Sequence, residues 1–274
     1  MQNIISITDQ EFDTMVKFVY GKYGIDLKKK RQLVESRLAY ILKSKSIDRF
    51  EDYLKLINTD ENELQLFLNR ITTNHSYFAR EMEHFDYLLN TVLPELEKTG
   101  AREYRIWSAG CSGGQEAYNI AMAIDHYFGS RKGTIDTKIL ATDISSAVLS
   151  KAKDGIYTHD VIDGLPQDWI AKYFIKQPDG RFRVIDKIRQ EVIFRKGNLM
   201  EPFQIKKPFD IIFCRNVMIY FDNETTQGLV EKFYNATAPN GHLFVGHSES
   251  VDKNRTRYEF VMPAIYKKIM TKGR

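Results

Sequence analysis

A chain of 274 residues, 43% hydrophobic and 28% charged, has ordinary globular composition and enough apolar material for one large core or two smaller ones. Its 40 Lys and Arg against 36 Asp and Glu leave a net charge of +4, too small an excess to imply a nucleic-acid partner. The two cysteines, Cys111 and Cys214, exclude a disulfide framework, and the six histidines lack the spacing of a structural zinc site.

Residues 1–20 carry Asp9, Glu11 and Asp13 and show no basic start followed by an apolar run, so no targeting segment is expected. The most apolar stretch, Phe209 to Phe221, is interrupted by Arg215 and Asn216, too polar at its centre to span a bilayer. The expectation is a cytoplasmic protein, not inserted in a membrane, and a monomer by default.

Residues 1–98 read as helical. Thr8-Asp9-Gln10-Glu11 has the form of a capping box, and Phe12, Met15, Val16, Val19 and Tyr20 follow at helical spacing. A second helix is expected from about Leu27 to Lys43, with Leu33, Leu38, Ile41 and Leu42 as its apolar stripe. Ser46 is read as the N-cap of a third helix holding Phe50, Tyr53, Leu54 and Ile57. Asp60 to Glu63 repeats the capping pattern before Leu64, Phe67, Leu68 and Ile71, and a further helix covers about His84 to Glu97.

The pattern changes at Gly100. Strands and helices then alternate, the signature of an α/β domain with a mostly parallel sheet. Strands are expected at Tyr104–Ala109, Lys138–Thr142, Glu191–Lys196, Phe209–Cys214 and His242–Gly246, with Asn240-Gly241 as a turn and Phe260–Ile269 closing the sheet. Helices are expected at Gln115–Phe128, Ser145–Lys153 and Asn223–Ala236. Residues 169–189 break the alternation around the turn Pro178-Asp179-Gly180 and read as a small inserted β-subdomain.

Three motifs fall at strand ends. Gly110-Cys111-Ser112-Gly113-Gly114 lies between the first strand and its helix, where glycines let a ligand approach backbone N–H groups. Asp143 ends the second strand, where a carboxylate can accept from both hydroxyls of a ribose; Ser145 is free to cap the following helix in its place. Arg215 and Asn216 follow the buried fourth strand, and polar groups there are costly to bury without partners. The first two together favour an adenosine-containing ligand. The dinucleotide Gly-x-Gly-x-x-Gly is absent, which disfavours a nicotinamide oxidoreductase, and no Asn/Asp-Pro-Pro-Tyr motif of base methylation occurs.

Residues 72–80 (Thr-Thr-Asn-His-Ser-Tyr-Phe-Ala-Arg), Trp107 to Tyr118, Ala141-Thr142-Asp143-Ile144, Gly197-Asn198-Leu199, Cys214 to Asp222 and Gly246-His247-Ser248-Glu249 occur in that order. In these segments the chain resembles the chemotaxis receptor methyltransferase family (CheR-type) over nearly its whole length. The resemblance implies an all-α N-terminal domain (1–75) that docks the receptor and a linker with a connecting helix (76–99). A Rossmann-like S-adenosylmethionine-dependent methyltransferase domain (100–274) follows, carrying the antiparallel β-subdomain at about 169–189. It implies cofactor contacts from Glu116, Asp143, Asn198, Leu199, Arg215 and Asn216, and from Asn74, Ser76 and Arg80 on the linker side. Tyr220 is placed near the transferred methyl. Family members usually read Ser-Thr-Gly-Glu-Glu-Pro-Tyr where this chain has Ser112-Gly113-Gly114-Gln115-Glu116-Ala117-Tyr118, and the usual aromatic before the arginine is Ala79 here.

The implied reaction is methyl transfer to glutamate side chains in the acidic methylation helices of a chemoreceptor's cytoplasmic bundle, leaving S-adenosylhomocysteine. A glutamate with a reference pKa of about 4.3 is already ionised at pH 7, so no general base is needed. Arg80 and Tyr220 are the expected catalytic residues, Arg80 by orienting the carboxylate, and no metal is called for. The cations Lys17, Lys22, Lys28, Lys29, Lys30, Arg31, Arg37, Lys43, Lys45 and Arg49 are the expected docking face. In the family it resembles, this subdomain can grip a receptor's tail peptide and then tends to carry a longer loop, so the short turn at Pro178–Gly180 leads to the expectation that no such tether is needed here. The competing readings are a non-catalytic cofactor-binding adaptor and a methyltransferase acting on another substrate.

Overall fold

The computed structural model describes residues 6–72 and 75–269. They form two units by the density of their internal contacts. One comprises residues 6–72 together with Tyr220–Thr225; the other comprises His75–Ile219 and residues 226–269.

The first unit is helical: α1 (Asp9–Tyr23), α2 (Arg31–Ser44), α3 (Phe50–Thr59) and α4 (Glu61–Ile71). The capping box of α1 is formed in both directions. The Glu11 N–H donates to the Thr8 hydroxyl at 3.2 Å, and the Thr8 N–H donates to the Glu11 carboxylate at 2.9 Å. Gly24 ends the helix at φ 70, a left-handed cap that glycine adopts without a Cβ penalty. Met15, Val19, Val34, Leu38, Leu42, Phe50, Tyr53, Phe67 and Leu68 are buried in this unit. Residues 220–225 return to it: Ile25 and Phe221 form an antiparallel bridge, and the Tyr20 hydroxyl donates to Asp222 at 2.9 Å. The third helix differs from expectation. Its N-cap position is Arg49, with no side-chain cap, while Ser46 lies outside the helix at φ 54.

The second unit opens with α5 (Glu83–Tyr87), one π-turn over Leu88–Val92, and α6 (Leu93–Lys98). Pro94 has no N–H to continue the ladder, which accounts for the widened turn before it. The strands are β1 (Ile106–Ala109), β2 (Ile139–Asp143), β3 (Ile156–Tyr157), β4 (Phe174–Lys176), β5 (Phe182–Val184), β6 (Val192–Lys196), β7 (Phe209–Cys214), β8 (Thr237–Val245), β9 (Glu259–Met262) and β10 (Ile265–Lys267). The helices among them are α7 (Gln115–Phe128), α8 (Ser146–Asp154), α9 (His159–Ile162), α10 (Gln167–Tyr173), α11 (Asp186–Arg189) and α12 (Asn223–Ala236).

Seven strands make a mixed sheet in the order β6-β2-β1-β7-β8-β10-β9, and β3-β5-β4 make a small antiparallel one. From β6 to β8 all pairings are parallel. The chain runs outward from β1 through β2 to β6, then crosses back to β7 on the other side of β1. That reversal opens a crevice at the carboxyl ends of the central strands, where ligands of such sheets bind. β1 is buried along its whole length, as a central parallel strand should be.

The small sheet takes its third strand from Ile156–Tyr157, upstream of the 169–189 segment, and residues 167–173 of that region are helical. A two-residue strand is too short for periodicity to reveal. The small sheet is latched by a buried carboxylate: Asp125 on α7 meets Lys187 at 2.6 Å and Lys172 at 3.5 Å, and accepts from Tyr173 at 3.2 Å. Asn240, at φ 62, lies within β8, where the pairing with β7 slips between Phe209 and Ile211, so Asn240-Gly241 marks a strand irregularity rather than a turn between elements. The expected closing strand is two antiparallel ones, β9 and β10. No described helix is long and apolar enough to cross a membrane.

Candidate functional site

The loops leaving the carboxyl ends of β1, β2, β6, β7 and β8 converge. Gly110 and Cys111, just past β1, both donate to the Thr142 carbonyl at the end of β2, at 2.8 and 2.9 Å. Gly110 has φ 87, and a Cβ there would lie 2.3 Å from Val217 in the loop after β7. Glycine thus lets two loop backbones close on each other where a side chain would hold them apart.

Asp143 ends β2 and is buried. One carboxylate oxygen accepts the Ser112 N–H at 2.8 Å and the other the Ser145 N–H at 2.9 Å. The α8 cap is supplied by the Ser145 hydroxyl, which accepts the Val148 N–H at 3.1 Å. Burial pushes the Asp143 carboxyl above its ordinary value, opposed by the backbone N–H groups around it. Each oxygen takes one of these N–H donors and, with two lone pairs, can accept a further hydroxyl.

Arg215 occupies the loop after β7. Its guanidinium donates to Glu81 at 3.0 and 3.2 Å, to Glu116 at 3.3 Å, and to the Arg80 carbonyl. Glu116, in the first turn of α7, also accepts from the Ser108 hydroxyl at 2.7 Å. Burial raises the Glu116 carboxyl, with Arg215 opposing. For Glu81 burial also pushes upward, but Arg215 and the His247 N–H outweigh it and leave the carboxyl below its usual range.

Arg80 therefore sits on a clamped turn. Ala79 at φ 59 and Glu81 at φ 54 flank it in the left-handed region, which costs an L-residue on the order of 1–2 kcal/mol. The turn is held by the Ala79 N–H donating to Asn119 on α7 at 2.8 Å and by Arg215 gripping the Arg80 carbonyl. The Arg80 side chain makes no hydrogen bond among the described residues; its guanidinium lies 5.7 Å from the Tyr77 ring centroid.

Glu81, His84 and His247 bring their donor atoms within 4.8 Å of one another. Glu81 nevertheless spends one oxygen on Arg215 and the other on the His247 N–H at 3.2 Å. The guanidinium already supplies the positive charge, so the trio reads as the anchor of Arg215. His84 is fully buried, and burial followed by the Arg215 charge drives its pKa down to about 3.

Two family models cover almost all of this chain. One described as CheR methyltransferase, SAM binding domain, matches residues 74–266, and one described as CheR methyltransferase, all-alpha domain, matches residues 10–72. The chain belongs to the CheR methyltransferase family. It is similar to the chemotaxis protein methyltransferase of Borreliella burgdorferi, 43% identical over 272 residues that span 96% of each chain. It is 35% identical to that of Escherichia coli over 97% of this chain and 93% of the relative. To chemotaxis protein methyltransferase 2 of Vibrio cholerae it is 36% identical over 92% and 89%.

The protein is a CheR-family S-adenosylmethionine-dependent methyltransferase, and its donor set fits that cofactor. A buried acidic acceptor ends β2, and glycines line the loop after β1. Of the residues singled out from this CheR-family sequence, Glu116, Asp143, Asn198, Leu199, Arg215 and Asn216 lie along the carboxyl edge of the sheet. Arg80 is tied to that edge through Arg215, and Ser76 lies in the segment just before its turn. Asn74 lies outside the described residues. Tyr220 clusters with the helical unit, where its carbonyl accepts the Asp26 N–H at 2.8 Å and Lys30 stands 5.5 Å from its ring centroid. The Asn198 side chain shapes its own loop by accepting the Met200 N–H at 3.0 Å.

Sequence reasoning missed three charged residues of this site. Glu81 anchors Arg215. Glu249 accepts backbone N–H groups of the loop after β7. Lys232 on α12 donates to three consecutive carbonyls, Leu199, Met200 and Glu201, at 2.9, 2.7 and 3.1 Å, and so holds the loop after β6. Glu81 adjoins the quoted segment 72–80, and Glu249 closes the quoted segment Gly246-His247-Ser248-Glu249 without having been given a role there; those positions were the one available signal. Lys232 carries none, being one lysine on an amphipathic helix.

Proposed function

We propose that this enzyme esterifies glutamate side chains in the acidic methylation helices of a chemoreceptor. The observation that carries the acceptor class is the end-to-end similarity to relatives named for methylating chemotaxis proteins. When bound, S-adenosylmethionine supplies a methyl group on a sulfonium, a leaving group that needs no protonation.

The chain's own residues then have these roles. Asp143 accepts from the ribose hydroxyls, and the Ser112 and Ser145 N–H groups keep its carboxylate aimed and oppose the rise that burial imposes on it. Glu116, aligned by Ser108, and the loop residues Asn198, Leu199 and Asn216 line the remainder of the cofactor site, joined by Ser76. Arg215 spends most of its donors on Glu81, Glu116 and the Arg80 carbonyl, so it acts chiefly as the brace of the site and reaches the ligand with what remains. Arg80 offers its uncommitted guanidinium to a carboxylate, orienting the acceptor for in-line attack. An ionised glutamate held there would take the methyl group directly, so none of these residues needs to move a proton.

The helical unit supplies the docking face. Of the ten cations between Lys17 and Arg49, Lys22, Lys28 and Lys30 stand over aromatic rings, and the other seven fall in two groups. Arg31 pairs with Asp9, Lys45 with Glu63 and Arg49 with Glu51, while Arg37 donates to the carbonyls of Arg70, Ile71 and Thr72. Lys17, Lys29 and Lys43 are exposed and have no ion pair among the described residues, and they are the steering charges for an acidic helix.

The test is methyl transfer to a chemoreceptor cytoplasmic fragment, scored as base-labile methyl ester released as methanol. Wild type forms ester; Arg80→Ala loses at least two decades in kcat while S-adenosylhomocysteine affinity stays within threefold. Loss of cofactor affinity alone would remove Arg80 from the acceptor role, and absence of ester with cofactor bound would remove the acceptor class.

A further inference from the structure

Asn216 holds φ 59, a left-handed conformation that a non-glycine residue keeps only when its surroundings fix it. What fixes it is a buried carboxylate from the far side of β8. Glu249 accepts the Asn216 N–H at 2.8 Å on one oxygen and the Met218 N–H at 2.6 Å on the other, and it also accepts the Gly246 N–H. Gly246 makes room for this: a Cβ there would lie 2.8 Å from the Glu249 carboxylate and 2.9 Å from the Asn216 backbone nitrogen. No side-chain cation pairs with Glu249 among the described residues; burial pushes its carboxyl above the ordinary value, and the backbone N–H groups of Gly246, Asn216, Met218 and Val217 oppose that rise. A carboxylate held that way is acceptor-only, which an amide cannot copy.

We propose that Glu249 is a positioning residue of the cofactor site, holding the Arg215–Met218 loop in its binding conformation before S-adenosylmethionine arrives. The inference rests on the proposed placement of the cofactor beside Asn216. Without Glu249 the loop carries two N–H groups with no acceptor and a left-handed asparagine with nothing to enforce it. The loop then populates other conformations, and apparent affinity falls in proportion to the competent fraction. Glu249→Gln tests this with least change of shape. Its amide can offer one oxygen, so at least one of the Asn216 and Met218 N–H groups faces an N–H₂.

The full-length protein is titrated with S-adenosylhomocysteine by calorimetry, wild type against Glu249→Gln, with binding stoichiometry and Tm recorded. A Kd raised fivefold or more at a stoichiometry near one is the expected result, because a positioning defect weakens every folded molecule. A smaller rise overturns the proposal. So does lowered stoichiometry at unchanged Kd, which is the mark of a residue that only keeps the protein folded. Wild type that binds no S-adenosylhomocysteine would instead count against the cofactor placement itself. Should Glu249→Gln fail to fold, amide hydrogen exchange on ligand-free wild type decides. Asn216 and Met218 amides protected at least a hundredfold support a preset loop, and lesser protection overturns it.

Discussion

Replacing Asp143 by alanine is the most direct challenge to the cofactor site. The carboxylate stands at the end of β2 with one N–H on each oxygen, Ser112 at 2.8 Å and Ser145 at 2.9 Å. Two ribose hydroxyls would complete its shell. A hydrogen bond to a charged group contributes about 1.5–3 kcal/mol, so losing two costs at least about 3 kcal/mol. At about 1.4 kcal/mol per decade the Kd for S-adenosylhomocysteine should rise by roughly a hundredfold or more. The fold should survive, because Ser145 rather than Asp143 caps α8 and removing the aspartate also removes a buried charge. Calorimetry across pH adds a signature. The Asp143 carboxyl is raised by burial, and a protonated carboxyl turns one acceptor oxygen into a donor. Wild-type affinity should therefore fall as pH drops toward that raised value, and the alanine variant should lack this component of the fall. A folded Asp143→Ala protein that binds within threefold of wild type would refute the reasoning.

Lys232→Met removes an ammonium that three consecutive carbonyls share, so the loop of Asn198 and Leu199 loosens; Tm should fall by about 2–6 °C and Kd for S-adenosylhomocysteine should rise, both read on the same sample. His84 and His242 have pKa values pushed down by burial to about 3 and about 4. Each stays neutral in the folded state while the unfolded chain takes a proton near pH 6.5, so stability is full above that pH and is lost as pH falls below it. Between pH 7 and pH 5 each should cost about 2 kcal/mol in urea titrations, and His84→Leu should flatten the slope by one proton. Lys29→Glu should slow methylation of a receptor fragment several-fold at low salt, with the difference shrinking at high salt and S-adenosylhomocysteine affinity unchanged.

How much of this the sequence discloses depends on whether a feature is local. The capping box at Thr8, the buried strand Phe209–Cys214 and the glycine loop ahead of α7 are written in adjacent residues, and the structure has them where periodicity and turn chemistry put them. Ser46 misled because a good capping residue stood three positions ahead of the real N-cap position, Arg49, where tertiary packing of Phe50 sets the boundary. The strand at Ile156–Tyr157 and the return of Tyr220–Thr225 to the helical unit are long-range pairings with no periodic trace.

The same division runs through the site. The residues that face the crevice sit in contiguous motifs, since a strand end can present only its next few residues. The residues that hold them come from distant segments: Glu81 lies 134 positions from Arg215, and Lys232 lies 33 from Leu199. Each neutralises buried polar groups that the motif itself creates, namely a guanidinium, a row of N–H groups and a row of carbonyls. Exposing a polar strand end to a ligand in a buried crevice makes such partners necessary. Their existence could have been deduced from Arg215 and Asn216 alone; their identity could not, because any carboxylate the fold delivers to that place would serve.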